Sequence, residues 1–120
     1  MDAEIDPDSV YDLVDRDDVR VVDIRDPTSF AREHIPGSEN VPFGRLPQRV
    51  EELSGATRIV TVCPHGKASV QAARLIASFE GCTDARVESM AGGLEAWRER
   101  YELVSVDGEA DVAGESEPPF

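Results

Sequence analysis

Apolar residues fall along this chain in short blocks whose spacing switches between helical and extended periods. SVYDLVDRDD places Val10, Leu13 and Val14 on one helical face, and Asp8 or Ser9 is read as its cap. VRVVDI, residues 19–24, is a continuous β-branched run of the kind that fills a fully buried strand. PTSFAREH reads as one or two helical turns with Pro27 near their start, and HIPGSENVP as a punctuated loop leading to a short extended piece. GRLPQRVEELSG repeats Leu46, Val50 and Leu53 at spacings of four and three and closes on Gly55, which predicts a helix. RIVTV, residues 58–62, is a second buried strand. KASVQAARLIASFEG then puts Ala72, Leu75, Ile76 and Phe79 on one face, with Gly81 as a stop signal. ARVESM predicts a short strand, and AGGLEAWRERY a last helix carrying Leu94 and Trp97, which with Phe79 are assigned to the core.

Strands that alternate with helices predict an α/β fold, a mainly parallel sheet covered on both faces. At 120 residues the chain suits one domain, expected over residues 4–106, and no repeat is visible. The stretch from Asp107 to Phe120 is acidic and rich in Gly, Pro and Ser, and is read as a disordered tail.

Charge narrows the partners. There are 25 acidic residues against 12 basic ones, a net charge of −13, and Lys67 is the sole lysine. Nucleic acid and anionic membranes are poor partners for such a surface. The excess of carboxylates fits solubility, and more sharply an adaptation to molar salt, where self-repulsion is screened within roughly 3 Å. No apolar run reaches the length of a membrane span, and the acidic start MDAEIDPDSV lacks the features of a secretory signal. Two cysteines, Cys63 and Cys82, are too few for a disulfide framework, so the setting is expected to be reducing and cytoplasmic.

The chemistry concentrates in CPHGKAS, residues 63 to 69. Cys63 stands where a buried strand ends, the place where open α/β sheets put their sites. The turn into the next helix leaves backbone N–H groups without carbonyl partners. Pro64 has none to give, so the donors are His65 through Ser69, and Gly66 allows the positive φ that curls them into a nest. With the helix dipole and Lys67 added, the centre of the nest suits an anion, and a thiol held there becomes a nucleophilic thiolate. A strand-end cysteine can also be a small buried hydrophobe, and Cys82, without such neighbours, is read that way. Cys63 and His65 are too close for ordinary zinc spacing, and no metal or cofactor is expected. Asp23 is read as a carboxylate bonding loop N–H groups, with a general base as the other option; Arg25 is expected to pair locally, and a role near the pocket stays open.

Three stretches in order resemble one family. VVDIRDPTSFAREHIPGSENVP resembles the front signature of the rhodanese domain, CPHGKAS its catalytic loop, and MAGGLEAW its terminal Gly-Gly-x-x-x-Trp, together spanning residues 4–101. The resemblance implies an α/β/α fold around a five-stranded parallel sheet, with Cys63 as catalytic cysteine and the backbone of Pro64 through Ala68 as its loop. It is closest to the single-domain thiosulfate sulfurtransferase group, which shares Cys-x-His-Gly at the loop start. Many other members carry arginine where this chain has Ala68.

The implied reaction is sulfur transfer: the Cys63 thiolate takes the outer sulfur of thiosulfate, sulfite leaves, and cyanide or a thiol removes the sulfur from the persulfide. His65, Gly66, Lys67, Ala68 and Ser69 are the expected substrate-binding residues. A protein sulfur acceptor, with the chain as persulfide carrier, is the alternative. A phosphatase or arsenate reductase would need a loop one residue longer, closed by arginine at the position held by Ser69.

Overall fold

The computed structural model describes residues 3–105. Five strands form one parallel sheet: β1 (Glu4–Ile5), β2 (Val19–Asp23), β3 (Glu39–Asn40), β4 (Arg58–Val62) and β5 (Arg86–Met90), in the order β1-β5-β4-β2-β3. β4 takes the centre because Ile59 through Val62 offer four consecutive side chains that can be buried on either face, and all four are. Helices α1 (Pro7–Leu13) and α5 (Gly93–Arg98) cover one face over Val10, Val21, Val60, Val62, Leu94 and Trp97. α3 (Leu46–Arg49) and α4 (Ala68–Ala77) cover the other over Val22, Leu46, Leu53, Ile59, Ala72 and Ile76. α2 (Pro27–Arg32) buries no residue. The tail expected from Asp107 lies outside the described residues.

Several helix boundaries differ from the sequence expectation, each for a local reason. Asp6, not Asp8 or Ser9, caps α1: its carboxylate accepts the Ser9 N–H at 3.1 Å and the Ser9 hydroxyl at 2.8 Å, with Pro7 in the first turn. Asp26 caps α2 with the same Asp-Pro-x-Ser device, accepting the Ser29 N–H at 2.8 Å. The helix expected over GRLPQRVEELSG is broken into a 3₁₀ turn (Phe43–Arg45), α3, and a second 3₁₀ turn (Val50–Leu53). The proline in the first turn of α3 has no N–H to carry the earlier turn into it. α4 stops before Ser78, so Gly81 sits in a separate 3₁₀ turn (Glu80–Cys82) instead of ending the helix. Leu75, expected on the apolar face, is 37% exposed, Phe79, assigned to the core, is only half-buried against it, and Ser69 and Ala73 are buried.

The chain leaves β2 toward β3 and leaves β4 toward β5, in opposite directions from two adjacent strands. That divergence opens a crevice beyond their carboxyl ends, where Asp23 and Cys63 stand.

Candidate active site

Cys63 follows β4 directly and is almost sealed from solvent, at 2% exposure. The loop behind it turns its N–H groups toward the sulfur. Gly66 N donates to Cys63 Sγ at 3.1 Å and Ser69 N at 3.3 Å. The Ser69 side chain is equally engaged, with Oγ 3.2 Å from Sγ. Burial alone pushes the thiol up; hydrogen bonds from the Ser69 hydroxyl, the Ser69 N–H, and the His65 and Gly66 backbone outweigh it and hold Cys63 below the ordinary thiol value.

The loop keeps that shape because its carbonyls are tied elsewhere. Cys63 O accepts Leu94 N at 2.9 Å and Pro64 O accepts Glu95 N at 3.1 Å, so the first turn of α5 uses its free N–H groups to pull both carbonyls away from the sulfur. This requires backbone against backbone. Gly66 has φ +82°, and a Cβ there would lie 2.8 Å from Gly92 N. Gly93 has φ +63°, and its Cβ would lie 2.6 Å from both Gly66 N and His65 N. On the other side, Thr61 Oγ1 in β4 donates to Ser69 O at 2.6 Å and pins the start of α4 to the sheet.

The residues singled out from sequence fall into two sets. Gly66 and Ser69 touch Sγ. The side chains of His65, Lys67 and Ala68 are exposed, and His65 Nδ1 meets Glu95 Oε1 at 3.3 Å on the surface. A shallow pocket of about 170 Å³ opens at this point, lined by Arg25, Pro64, His65, Leu94, Glu95 and Arg98. Arg25 is held rigidly on its wall: Asp23 grips Nε at 3.0 Å and one terminal nitrogen at 2.9 Å, and that nitrogen also donates to Glu33 O at 2.6 Å. Asp23 also accepts the Arg25 N–H at 3.0 Å, which makes it a bonding carboxylate of the β2 end. Arg98 pairs with Glu33 at 2.9 Å. Cys82 is free and buried, with no donor to its sulfur among the described residues, and burial pushes its thiol up. No group of three or more metal-ligating side chains occurs among the described residues.

Three contributors were not visible in sequence. Ser89, in β5, brings its hydroxyl within 2.6 Å of Ser69 Oγ. Gly93 seats α5 against the loop, and Glu95 adds a carboxylate to the pocket wall. Only the Gly-Gly pair left a trace, as part of a motif without a stated role.

A family model described as the rhodanese-like domain matches residues 6–100. Thiosulfate sulfurtransferase GlpE of Pseudoalteromonas translucida is 39% identical over 90 residues, covering 75% of this chain and 83% of its own. Its counterpart of the same name from Pseudomonas aeruginosa is 38% identical over 92 residues, with 77% and 81% covered. A crystal structure of thiosulfate sulfurtransferase from Pseudomonas aeruginosa superposes with a TM-score of 0.76 at 26% identity, covering 88% of this chain and 20% of that one. A rhodanese-related protein from Thermoplasma volcanium, at 22% identity and a TM-score of 0.68, shares the fold over 85% of this chain and 97% of its own. A cysteine cradled at the end of the central strand of a parallel sheet, and a family match across most of the length, lead to one statement: this chain belongs to the rhodanese-like domain family.

Proposed function

We propose that the chain is a thiosulfate sulfurtransferase that carries sulfane sulfur on Cys63. The observation that carries this reading is a buried strand-end thiol whose sulfur accepts the Gly66 N–H at 3.1 Å and the Ser69 N–H at 3.3 Å, in a chain whose relatives bear that name. The Cys63 thiolate attacks the outer sulfur of thiosulfate; a new S–S bond forms, the old one breaks, and its electron pair leaves on sulfite. The persulfide anion keeps the donors already aimed at Sγ, and the N–H groups of Lys67 and Ala68, without acceptors among the described residues, complete the cradle. Cyanide or a thiol then attacks the terminal sulfur and the Cys63 thiolate leaves, so the two half-reactions follow ping-pong kinetics.

The pocket beside Pro64 and His65 has room for a small donor, and the cations at and near its rim support the reading that an acidic protein holds an anion there. Arg25 and Arg98 stand on the pocket wall and Lys67 is exposed on the loop beside Cys63, against the exposed carboxylate of Glu95. At net −13 the long-range field opposes a dianion, and local donors must offset it; salt screening eases that opposition. His65 and Lys67 act in this reading as binding groups, with no proton to transfer. The setting is proposed to be the cytoplasm; no helix among the described residues is long and apolar enough to cross a membrane.

Mass spectrometry of the intact chain after thiosulfate treatment tests the reading. The expected product is one sulfur atom heavier, reverts with cyanide, and is absent in Cys63→Ser. A wild-type chain that stays unmodified would refute sulfur transfer at Cys63.

A further inference from the structure

Ser89 is buried without exposure, as is Ser69. It is paired in register with Thr61 of the central strand. Its hydroxyl lies 2.6 Å from Ser69 Oγ, which in turn lies 3.2 Å from Cys63 Sγ, so two hydroxyls and the sulfur form a continuous chain. Among the described residues, Ser69 Oγ is the sole hydrogen-bond partner of the Ser89 hydroxyl and no Asp, Glu, Lys or Arg side chain bonds to either hydroxyl.

The chain can run in two directions. If the thiol donates to Ser69 and Ser69 to Ser89, the Ser89 hydrogen is left without an acceptor in a sealed position. An unpaired buried donor carries its full desolvation penalty. If Ser89 donates to Ser69 and Ser69 to Sγ, every hydroxyl hydrogen is used and sulfur serves only as an acceptor. That is the role of a thiolate or a persulfide. A donor that also accepts a hydrogen bond is polarised by it, so the Ser69–sulfur bond gains strength from Ser89.

We propose that Ser89 is a positioning residue: acting through Ser69, it fixes the direction of the chain so that the hydroxyl of Ser69 always faces the sulfur as a donor. The inference rests on the sulfur-transfer reading of Cys63, and Ser89 itself touches neither substrate nor the reacting atoms.

The test is the pH profile of Cys63 alkylation by iodoacetamide in the full chain, with Cys82→Ser as background and Ser89→Ala, Ser69→Ala and their combination as variants. Alkylation reads the thiolate and not its later use. A wild-type chain that alkylates normally yet takes no sulfur from thiosulfate would therefore sink the functional reading while leaving this measurement intact. Ser89→Ala should slow alkylation at neutral pH about three-fold and move the profile toward higher pH, the effect of one neutral hydrogen bond. The double variant should be no slower than Ser69→Ala alone, because Ser89 has no route to the sulfur once Ser69 is removed. Ser89→Thr, which keeps the hydroxyl in a strand setting, should stay within about two-fold of the wild type. An unchanged profile in Ser89→Ala, a fully additive loss in the double variant, or an equal loss in a Ser89→Thr protein of unaltered melting temperature would each overturn the proposal.

Discussion

Cys63 and Cys82 are equally buried, at 2% exposure, and belong to the same apolar cluster between the sheet and α3 and α4. Their chemistry nevertheless moves in opposite directions. Cys82 closes a 3₁₀ turn in which its own N–H donates to Phe79 O at 2.9 Å and no donor reaches its sulfur among the described residues, so burial acts alone and its thiol is raised. Cys63 bears a burial penalty too, and the donors from Ser69, His65 and Gly66 reverse it. Depth in the core therefore does not separate an inert thiol from a reactive one. The aim of the nearby N–H and O–H groups does.

Exchanging each sulfur for oxygen is the strongest way to break the comparison. Cys63→Ser should lower thiosulfate:cyanide turnover by about a thousand-fold or more, because a serine hydroxyl stays protonated where a thiol ionises. Cys82→Ser should remain within about two-fold of the wild type. The reverse pattern in steady-state assays would mean that the donors around Cys63 serve structure alone.

A second attack leaves both sulfurs in place and disturbs only the aim. Gly93→Ala forces a Cβ into the N–H groups of His65 and Gly66 at a backbone conformation with φ +63°, so the loop must move away from α5. Displaced donors no longer face the sulfur; kcat/KM should fall roughly a hundred-fold, with about 1–3 kcal/mol of stability lost to the strained position. Alkylation of Cys63 should slow as well, while that of Cys82 in the denatured chain stays unchanged. A Gly93→Ala protein with normal turnover would show that the loop holds its shape without α5.

Stability against pH sharpens the contrast without touching activity. A thiol lowered in the folded state releases its proton before its unfolded counterpart does. Cys63 therefore adds stability as pH climbs through its lowered value, in full above the unfolded thiol range near 8.5, and loses it as pH falls. Cys82 is raised, so its contribution is present below the unfolded value and is lost as pH rises through the folded one. Between neutral and alkaline pH, Cys63→Ser should lose ground to the wild type in denaturant melts, and Cys82→Ser should gain on it. Parallel curves for the two variants would remove the asymmetry.

Much of this contrast was legible in the chain itself. β2 and β4 read correctly because consecutive β-branched residues have few other places to go, and Cys63 stood out because Gly66 and a helix start follow it. What escaped has a physical pattern. The 43–53 segment has a helical spacing of Leu46, Val50 and Leu53, yet the proline in the first turn of α3 separates it from the 3₁₀ turn before it, a backbone effect that side-chain periodicity does not register. Ser89 is one polar position in a short strand, and its meaning depends on β5 lying beside β4, which is a fact of topology. Gly93 matters through what lies across from it, thirty residues away in sequence at Cys63. Of the loop donors expected from His65 through Ser69, the Gly66 and Ser69 N–H groups reach the sulfur; the elements that clamp that loop from outside were not foreseen.

The smallest expected effect concerns Lys67, the one lysine of the chain, placed just before α4 with an exposed side chain. The groups that lower Cys63 most are hydrogen-bond donors of the loop and Ser69, so removal of Lys67 should leave the thiolate nearly as it is. Its remaining use is attraction of the anionic donor, an interaction that an exposed cation makes with ground and transition state alike. Lys67→Ala should therefore raise KM for thiosulfate by up to about five-fold, with kcat little changed. Molar salt should shrink the difference toward nothing, since screening then acts within roughly 3 Å. Lys67→Arg keeps the charge on a broader, planar head and should fall between the two. Thiosulfate kinetics at low and at molar salt decide the matter. A KM that is unchanged in Lys67→Ala at both would assign donor capture to the backbone cradle and the pocket arginines, and a drop in kcat would show that the cation acts on the reacting sulfur after all.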